Sequence, residues 1–245
     1  MTWKAILRNG AAAALLAIGL VASGSAMAGP NLVLNGTFGT GSFADWTTSS
    51  AGPITSAAVV IATDNVARPY PSGAYGQAIP EDPLLTGSPD AAAGYAAYFS
   101  TDTGTQTLSQ TVSLVAGTYA IGFDVYVPQN GFNNPHDATF TGSIAGTSLF
   151  SSASVAGIGT ADGINTWVTV ASTAQVAAAG TYTVAFTFAG GGSPAKDILV
   201  DRVFVTPIAT ATTIGQQQVP VPEPGSLALL GAPLLGLAVL RRRRA

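Results

Sequence analysis

The sequence predicts an all-β fold, a single sandwich or jelly roll, for the central part of a 245-residue chain. Three observations predict it. Residues 118–127 place Tyr119, Ile121, Phe123, Val125 and Val127 on one face and Gly122, Asp124 and Tyr126 on the other, the period-two pattern of a half-buried strand. Residues 181–188 repeat that pattern with Tyr182, Val184, Phe186 and Phe188. No helical apolar period appears between Gly29 and Thr213 beyond a short alanine run at 91–93.

The remaining strands follow from runs bounded by Gly, Pro, Asn and Ser clusters. In chain order the expected strands are 32–34, 57–63, 95–100, 106–114, 118–127, 139–145, 167–172, 181–188 and 198–205. Trp46, Trp167, Tyr119, Tyr182 and Phe186 are expected in the core. Gly190, Gly191 and Gly192 read as a turn. The segment 64–90, with Pro69, Pro71, Pro80, Pro83 and Pro89, reads as a long structureless connection, and such connections are commonly functional or mobile. Many short strands with turns between them form a sandwich, and about 180 residues suffice for one core.

Composition narrows the function. Only 9% of residues are charged, mean hydropathy is +0.39 and cysteine is absent. The acidic balance, with a sequence pI near 4.8, gives no basic footprint for nucleic acid. Without cysteine there is no disulfide framework, thiolate metal site or thiol chemistry. The apolar content of 47% is too high for a charged disordered chain.

The two ends read as addresses. Lys4 and Arg8 precede an apolar run at 11–22, and small residues end at Ala26, Met27 and Ala28. This is the plan of a secretory signal peptide, with Ala26 and Ala28 as the cleavage site and the Sec translocon and signal peptidase as partners. The run is short of the roughly 20 residues a spanning helix needs. At the other end a Pro-rich stretch is followed by an uncharged segment at 227–240 and then Arg241, Arg242, Arg243 and Arg244. Proline breaks regular structure, and clustered arginines stay cytoplasmic. The segment 227–240 is therefore expected as a short transmembrane helix with a cytoplasmic stop.

The order Pro222, Glu223, Pro224, hydrophobic helix, arginine cluster resembles the PEP-CTERM sorting signal. That resemblance implies a Gram-negative host, an exosortase partner that cleaves near the motif, and an inner-membrane intermediate. It also implies a destination at the cell surface or in the extracellular polysaccharide matrix. The expected organisation is signal peptide 1–28, β-sandwich 29–207, Thr/Gln/Pro linker 208–221 and sorting signal 222–245. Between the ends only Arg68, Lys196 and Arg202 oppose eleven acids, a net of −8.

Asn31, Leu32, Asn35, Gly36, Phe38, Phe43 and Trp46 resemble the opening of a galactose-binding-like jelly roll, the fold of many carbohydrate-binding modules. Residues 108–112, 116–119, 123–125, Trp167, 179–188 and 198–203 resemble its later strands. The resemblance implies a structural calcium near the paired termini in some members. Here Asp201 matches the last-strand acid, while Gly39 stands where an acid is common, so a calcium set is one carboxylate short.

Catalytic chemistry is thinly represented. His136 is the one histidine, beside a turn-forming Asn133, Asn134, Pro135. No G-x-S-x-G elbow and no phosphate-binding glycine motif is present. Two carboxylates can hydrolyse glycosides, and Asp45, Asp64, Glu81, Asp82, Asp90, Asp102, Asp124, Asp137, Asp162 and Asp197 are available, but sequence spacing leaves open which converge. Aromatic rings stack on sugar faces, and Tyr70, Tyr75, Tyr126 and Phe132 are the candidate glycan-binding rings. The expected function is a non-enzymatic surface or matrix protein without a cofactor. The alternative is a glycan-binding module, and a carbohydrate-active enzyme ranks third.

Overall fold

The structure, a computed structural model, describes residues 29–54, 56–83 and 94–208. Ala26, Ala28, Pro222, Glu223, Pro224, Arg241, Arg242, Arg243, Arg244 and the expected transmembrane segment lie outside the described residues. Among the described residues no helix is long and apolar enough to cross a membrane.

The chain runs β1 (Thr47–Ile54), β2 (Val59–Ala62), β3 (Tyr95–Phe99), β4 (Thr103–Leu114), β5 (Gly117–Tyr126) and a one-turn helix α1 (Gln129–Phe132). It continues through β6 (Ala138–Ile144), β7 (Thr147–Ser154), α2 (Val155–Asp162), β8 (Val168–Val176), β9 (Gly180–Gly191) and β10 (Ile198–Pro207). Two five-stranded sheets result, ordered β1-β4-β9-β6-β7 and β2-β3-β10-β5-β8. Every neighbouring pair is antiparallel, which makes the expected all-β sandwich.

The alternation read from sequence decides what faces inward. Phe123 on β5, Phe140 on β6 and Phe186 on β9 are buried between the sheets. Phe123 meets Phe186 edge-on, centroids 4.9 Å apart at 83°, a favoured quadrupole geometry worth about 0.5–1.5 kcal/mol beyond burial. Gly142 lets this stack close, since a Cβ there would sit 2.7 Å from the Phe123 ring.

The outer face of the β2-β3-β10-β5-β8 sheet is covered at one end, while β8 stays largely exposed. Ile61, Ala96, Tyr98, Tyr126, Trp167 and Leu199 form a second apolar cluster on it, covered by Ala74 and Ile79. The cover is the β2–β3 connection, expected as structureless. Residues 64–83 instead fold back as a third layer: Trp167 Nε1 donates to Pro80 O at 2.9 Å, and Asn65 N donates to Ile79 O at 2.9 Å.

Other differences have local causes. The expected strand 32–34 is not one: the chain bends at 33 and turns at 34–37, with only Leu32 N reaching Val205 O at 2.9 Å, while Asn31 braces β10 through Val203 O and Val205 N. The strands β1 and β7 and the helix α2 are absent from the sequence expectation. Ser154 caps α2, its Oγ accepting from Gly157 N at 3.0 Å. Gly190 and Gly191 end β9 rather than forming a turn. A Cβ at Gly190 would lie 2.1 Å from Thr101 O, so only glycine permits that approach.

Candidate functional site

The register brings four connections to one end of the sandwich. Thr103 pairs with Gly191, Ala138 with Gly190, Ile198 with Phe99 and Leu199 with Tyr126. The β3–β4, β5–β6 and β9–β10 connections therefore emerge together, and the β2–β3 cover layer reaches the same place. Between them lies a cleft of about 330 Å³ lined by Tyr75, Ser100, Asp102, Asn130, Gly131, Asn134, Pro194 and Asp197.

Its aromatic wall is built from the cover layer. Tyr70 and Tyr75 stack face to face, centroids 4.7 Å apart and planes at 6°. Both stand edge-on to Tyr98 at 6.3 Å. Tyr75 has φ +48, a left-handed conformation costly for a bulky side chain, and is 56% exposed. The wall is braced from behind. Gln77 Oε1 accepts from Asn130 N at 2.7 Å, and Gln77 Nε2 donates to Asn165 Oδ1 at 2.7 Å, which also takes Gln129 N at 2.9 Å.

The polar floor comes from the sheet ends. Asp197 is 3% exposed and accepts from Tyr98 Oη at 2.5 Å. Burial pushes its carboxyl up to about 7, opposed by the Tyr98 hydrogen bond and reinforced by the charge of Asp102. Burial likewise raises the Tyr98 phenol well above its usual range, with the Asp197 charge adding to it. A Cβ at Gly131 would fall 2.6 Å from Asp197 Cβ, so glycine lets α1 close over this acid. Asp102 holds the β9–β10 connection, accepting from Ser193 Oγ at 2.6 Å and Ala195 N at 3.0 Å. Ser100 Oγ is buried beside the Tyr75 hydroxyl and has no closer partner.

The ring residues expected from sequence fall in three environments. Tyr70 and Tyr75 come together at the cleft. Tyr126, 2% exposed, packs against Trp167 with centroids 5.1 Å apart; the cover layer closes its face of the sheet, so it offers no surface for stacking. Phe132 is half-buried against the core, with Lys196 Nζ 4.6 Å above its ring. Asp102 and Asp197, two of ten carboxylates open from sequence, prove to share one cleft. Tyr98, Ser100, Asn130 and Asn134 carried no sequence signal beyond strand or turn propensity. His136 is exposed in the β5–β6 connection, with its N donating to Pro194 O at 3.3 Å.

Asp201 lies elsewhere, buried under the cover layer. One oxygen accepts from Arg202 N at 2.7 Å; the other has no hydrogen-bond partner. Burial pushes its carboxyl well above the usual range. Beside it Arg202 grips the buried Asp124 through Nε at 2.5 Å and a second nitrogen at 2.7 Å. Among the described residues no three His, Cys, Asp or Glu side chains gather for a metal ion. A guanidinium already supplies the cation here, and the residues do not fit calcium, which takes six to eight oxygens.

No family model matches the chain, and no curated protein sequence matches it. Solved structures do resemble it at low identity. A structure of TmCBM61 in complex with β-1,4-galactotriose is 19% identical over 72% of this chain and 98% of that one, TM-score 0.43. The CBM22-1 xylan-binding domain from Paenibacillus barcinonensis Xyn10C is 14% identical over 76% and 100%, TM-score 0.38. The enzymatically active domain of bacteriophage CBA120 tailspike protein 4 is 15% identical over 73% of this chain and 21% of that one, TM-score 0.41.

Proposed function

We propose that the sandwich is a glycan-binding module of an exported protein, with the cleft at the β3–β4 end as its site. The observation that carries this is the stacked Tyr70–Tyr75 pair, held with Tyr75 exposed on the wall of a polar cleft. A sugar ring presents C–H bonds on its faces and hydroxyls at its rim. A fixed phenol ring takes the first, and a few placed amide and carboxylate groups take the second. Asn130, Asn134, Asp102 and Asp197 stand where a rim would lie. At about 330 Å³ the cleft is at the small end of ligand sites, suited to one or two sugar units at a chain end or branch.

Binding rather than hydrolysis fits the carboxylates. Glycoside cleavage requires one acid to protonate the leaving oxygen and another to attack or activate water. Asp102 uses both oxygens to hold its neighbouring connection, and Asp197 is buried beneath Gly131 with Tyr98 on it. The same pair in one cleft is still the feature an enzyme would need, so release of reducing ends from oligosaccharides is the check on this point.

The ends complete the proposal. The signal peptide delivers the sandwich across the inner membrane, and the PEP-CTERM-like tail holds it there until an exosortase acts near Pro222, Glu223 and Pro224. The ligand class is then the polysaccharide outside the cell. Affinity electrophoresis against exopolysaccharides tests the site. Wild type is expected to be retarded and Tyr75→Ala to migrate freely while still folded. Equal retardation of both would remove the cleft from the account.

A further inference from the structure

The cleft's charge goes further than its shape. Two of its eight lining residues are carboxylates and none is Lys, Arg or His. The three basic residues of the sandwich are all committed elsewhere. Arg68 is paired with Asp64 and Arg202 with Asp124. Lys196, adjacent to Asp197 in sequence, points its Nζ at Asn134 O at 2.8 Å and at Phe132 O, over the Phe132 ring. Among the described residues no cation lines the cleft or pairs with Asp102 or Asp197. Ser100 Oγ, nine-tenths buried in the same cleft, has the Tyr75 hydroxyl beside it and no closer partner. An unmatched carboxylate pair, a loosely held hydroxyl and an electron-rich ring face are together the complement of an ammonium group on a sugar.

We infer that the cleft selects glycans bearing free amino groups, such as glucosamine-type polymers, over neutral, N-acetylated or uronate ones. This rests on the glycan-binding reading and names its ligand class. The sugar ring lies on Tyr75 and the ammonium turns toward Asp102 and Asp197. A carboxylate has about four lone-pair sites, so Asp102 can accept from an ammonium while keeping Ser193 and Ala195. Charge-assisted hydrogen bonds exceed neutral ones in strength, and a tyrosine face adds cation–π attraction. An N-acetyl group removes the charge and adds bulk. A uronate brings like charge against Asp102, and against Asp197 where that acid is ionised.

The test is calorimetric titration of the full chain with glucosamine, N-acetylglucosamine, glucose and glucuronate oligomers of equal length. The free-amine oligomer is expected to bind roughly tenfold or more tightly than its N-acetylated counterpart. That advantage is expected to shrink as salt rises. Asp102→Asn should lower the preference severalfold, and Tyr75→Ala should weaken every oligomer, with folding checked by thermal unfolding. Equal or tighter binding of N-acetylated or neutral oligomers overturns the amine selectivity and leaves the glycan reading standing. Unchanged binding of the amine oligomer to Tyr75→Ala also overturns it, since attraction to the acidic surface would then suffice. Binding of no oligomer at all overturns both.

Discussion

Replacing Asp197 with asparagine isolates the energetic cost of the cleft. In the folded protein the carboxyl titrates near 7, against an ordinary value of 3.8. Between those two pH values the folded state holds a proton that the unfolded chain has released. Stability therefore falls as pH rises from about 4 to 7 and levels off above. The shift of about three pH units corresponds to at most about 4 kcal/mol. Asp197→Asn carries a neutral amide at every pH, and the Tyr98 hydroxyl can still donate to its oxygen. The variant should match wild type near pH 4 and exceed it by up to about 4 kcal/mol at pH 8, a ceiling of about 8–16 °C in Tm for a domain of this size. The neighbours that face Asp197 are Tyr98, Tyr75 and Asp102, and all three persist in the variant. Asp201 shifts in the same direction, whereas Asp64, held down by Arg68, and Asp137 shift oppositely. All three are common to both proteins and cancel in the difference. Thermal unfolding of the pair across pH 4–8 is the assay. Parallel Tm curves, or a variant less stable at pH 8, would refute the burial argument.

Arg202→Met should be costly, because it leaves Asp124, with no exposed surface, without its cation. Breaking such a pair costs about 3–5 kcal/mol, and the urea midpoint should fall accordingly, with Asp124→Asn in the same chain restoring part of it. A double variant no better than the single one would show that Asp124 tolerates the loss. Protein recovered from the native cell surface should begin at Gly29 and lack Arg241, Arg242, Arg243 and Arg244. Intact mass checks both ends, and retained arginines would count against processing by an exosortase.

What the sequence made legible depends on which faces the strands bury. Strand β9 announces itself, since a single inward face produces clean alternation; β5 alternates in residue type, but its residues 121–126 are buried on both faces. The strands β1 and β7 are the two edges of their sheet. Their segments, TTSSAGPI and TSLFSSAS, are rich in Ser and Thr and short of large side chains that must be buried, so no period emerges. The cover layer was hidden for the converse reason. Its proline-rich composition suggests a loose connection, and Ala74 and Ile79, with Tyr70 packed against them, are what it adds to the second cluster. A signal for it lay in β10 rather than in the loop. Residues 198–201 are buried at every position, and a strand apolar on both faces requires cover on both. Of the cleft, the rings Tyr70 and Tyr75 were legible as candidates, but its polar floor was not: Asp102, Asn130, Asn134 and Asp197 read as turn residues and Ser100 as a strand end, and only strand register brings them together.

The placement of cost in this molecule favours a ligand over a purely structural role. The sandwich carries few charged residues, yet two acids share one cleft, and one of them is buried enough to oppose folding at neutral pH. The same cleft holds a tyrosine in a left-handed backbone conformation. A fold selected for stability alone would replace Asp197 with an amide and straighten Tyr75, each change gaining on the order of 1 kcal/mol or more. Binding sites commonly retain such strained or destabilised groups because the ligand supplies the missing partner. The two lines of experiment therefore constrain each other. Asp197→Asn should gain stability above pH 7 and lose preference for the amino sugar. A gain in stability with ligand preference intact would leave the buried acid without a binding role and place the selectivity on Asp102 alone.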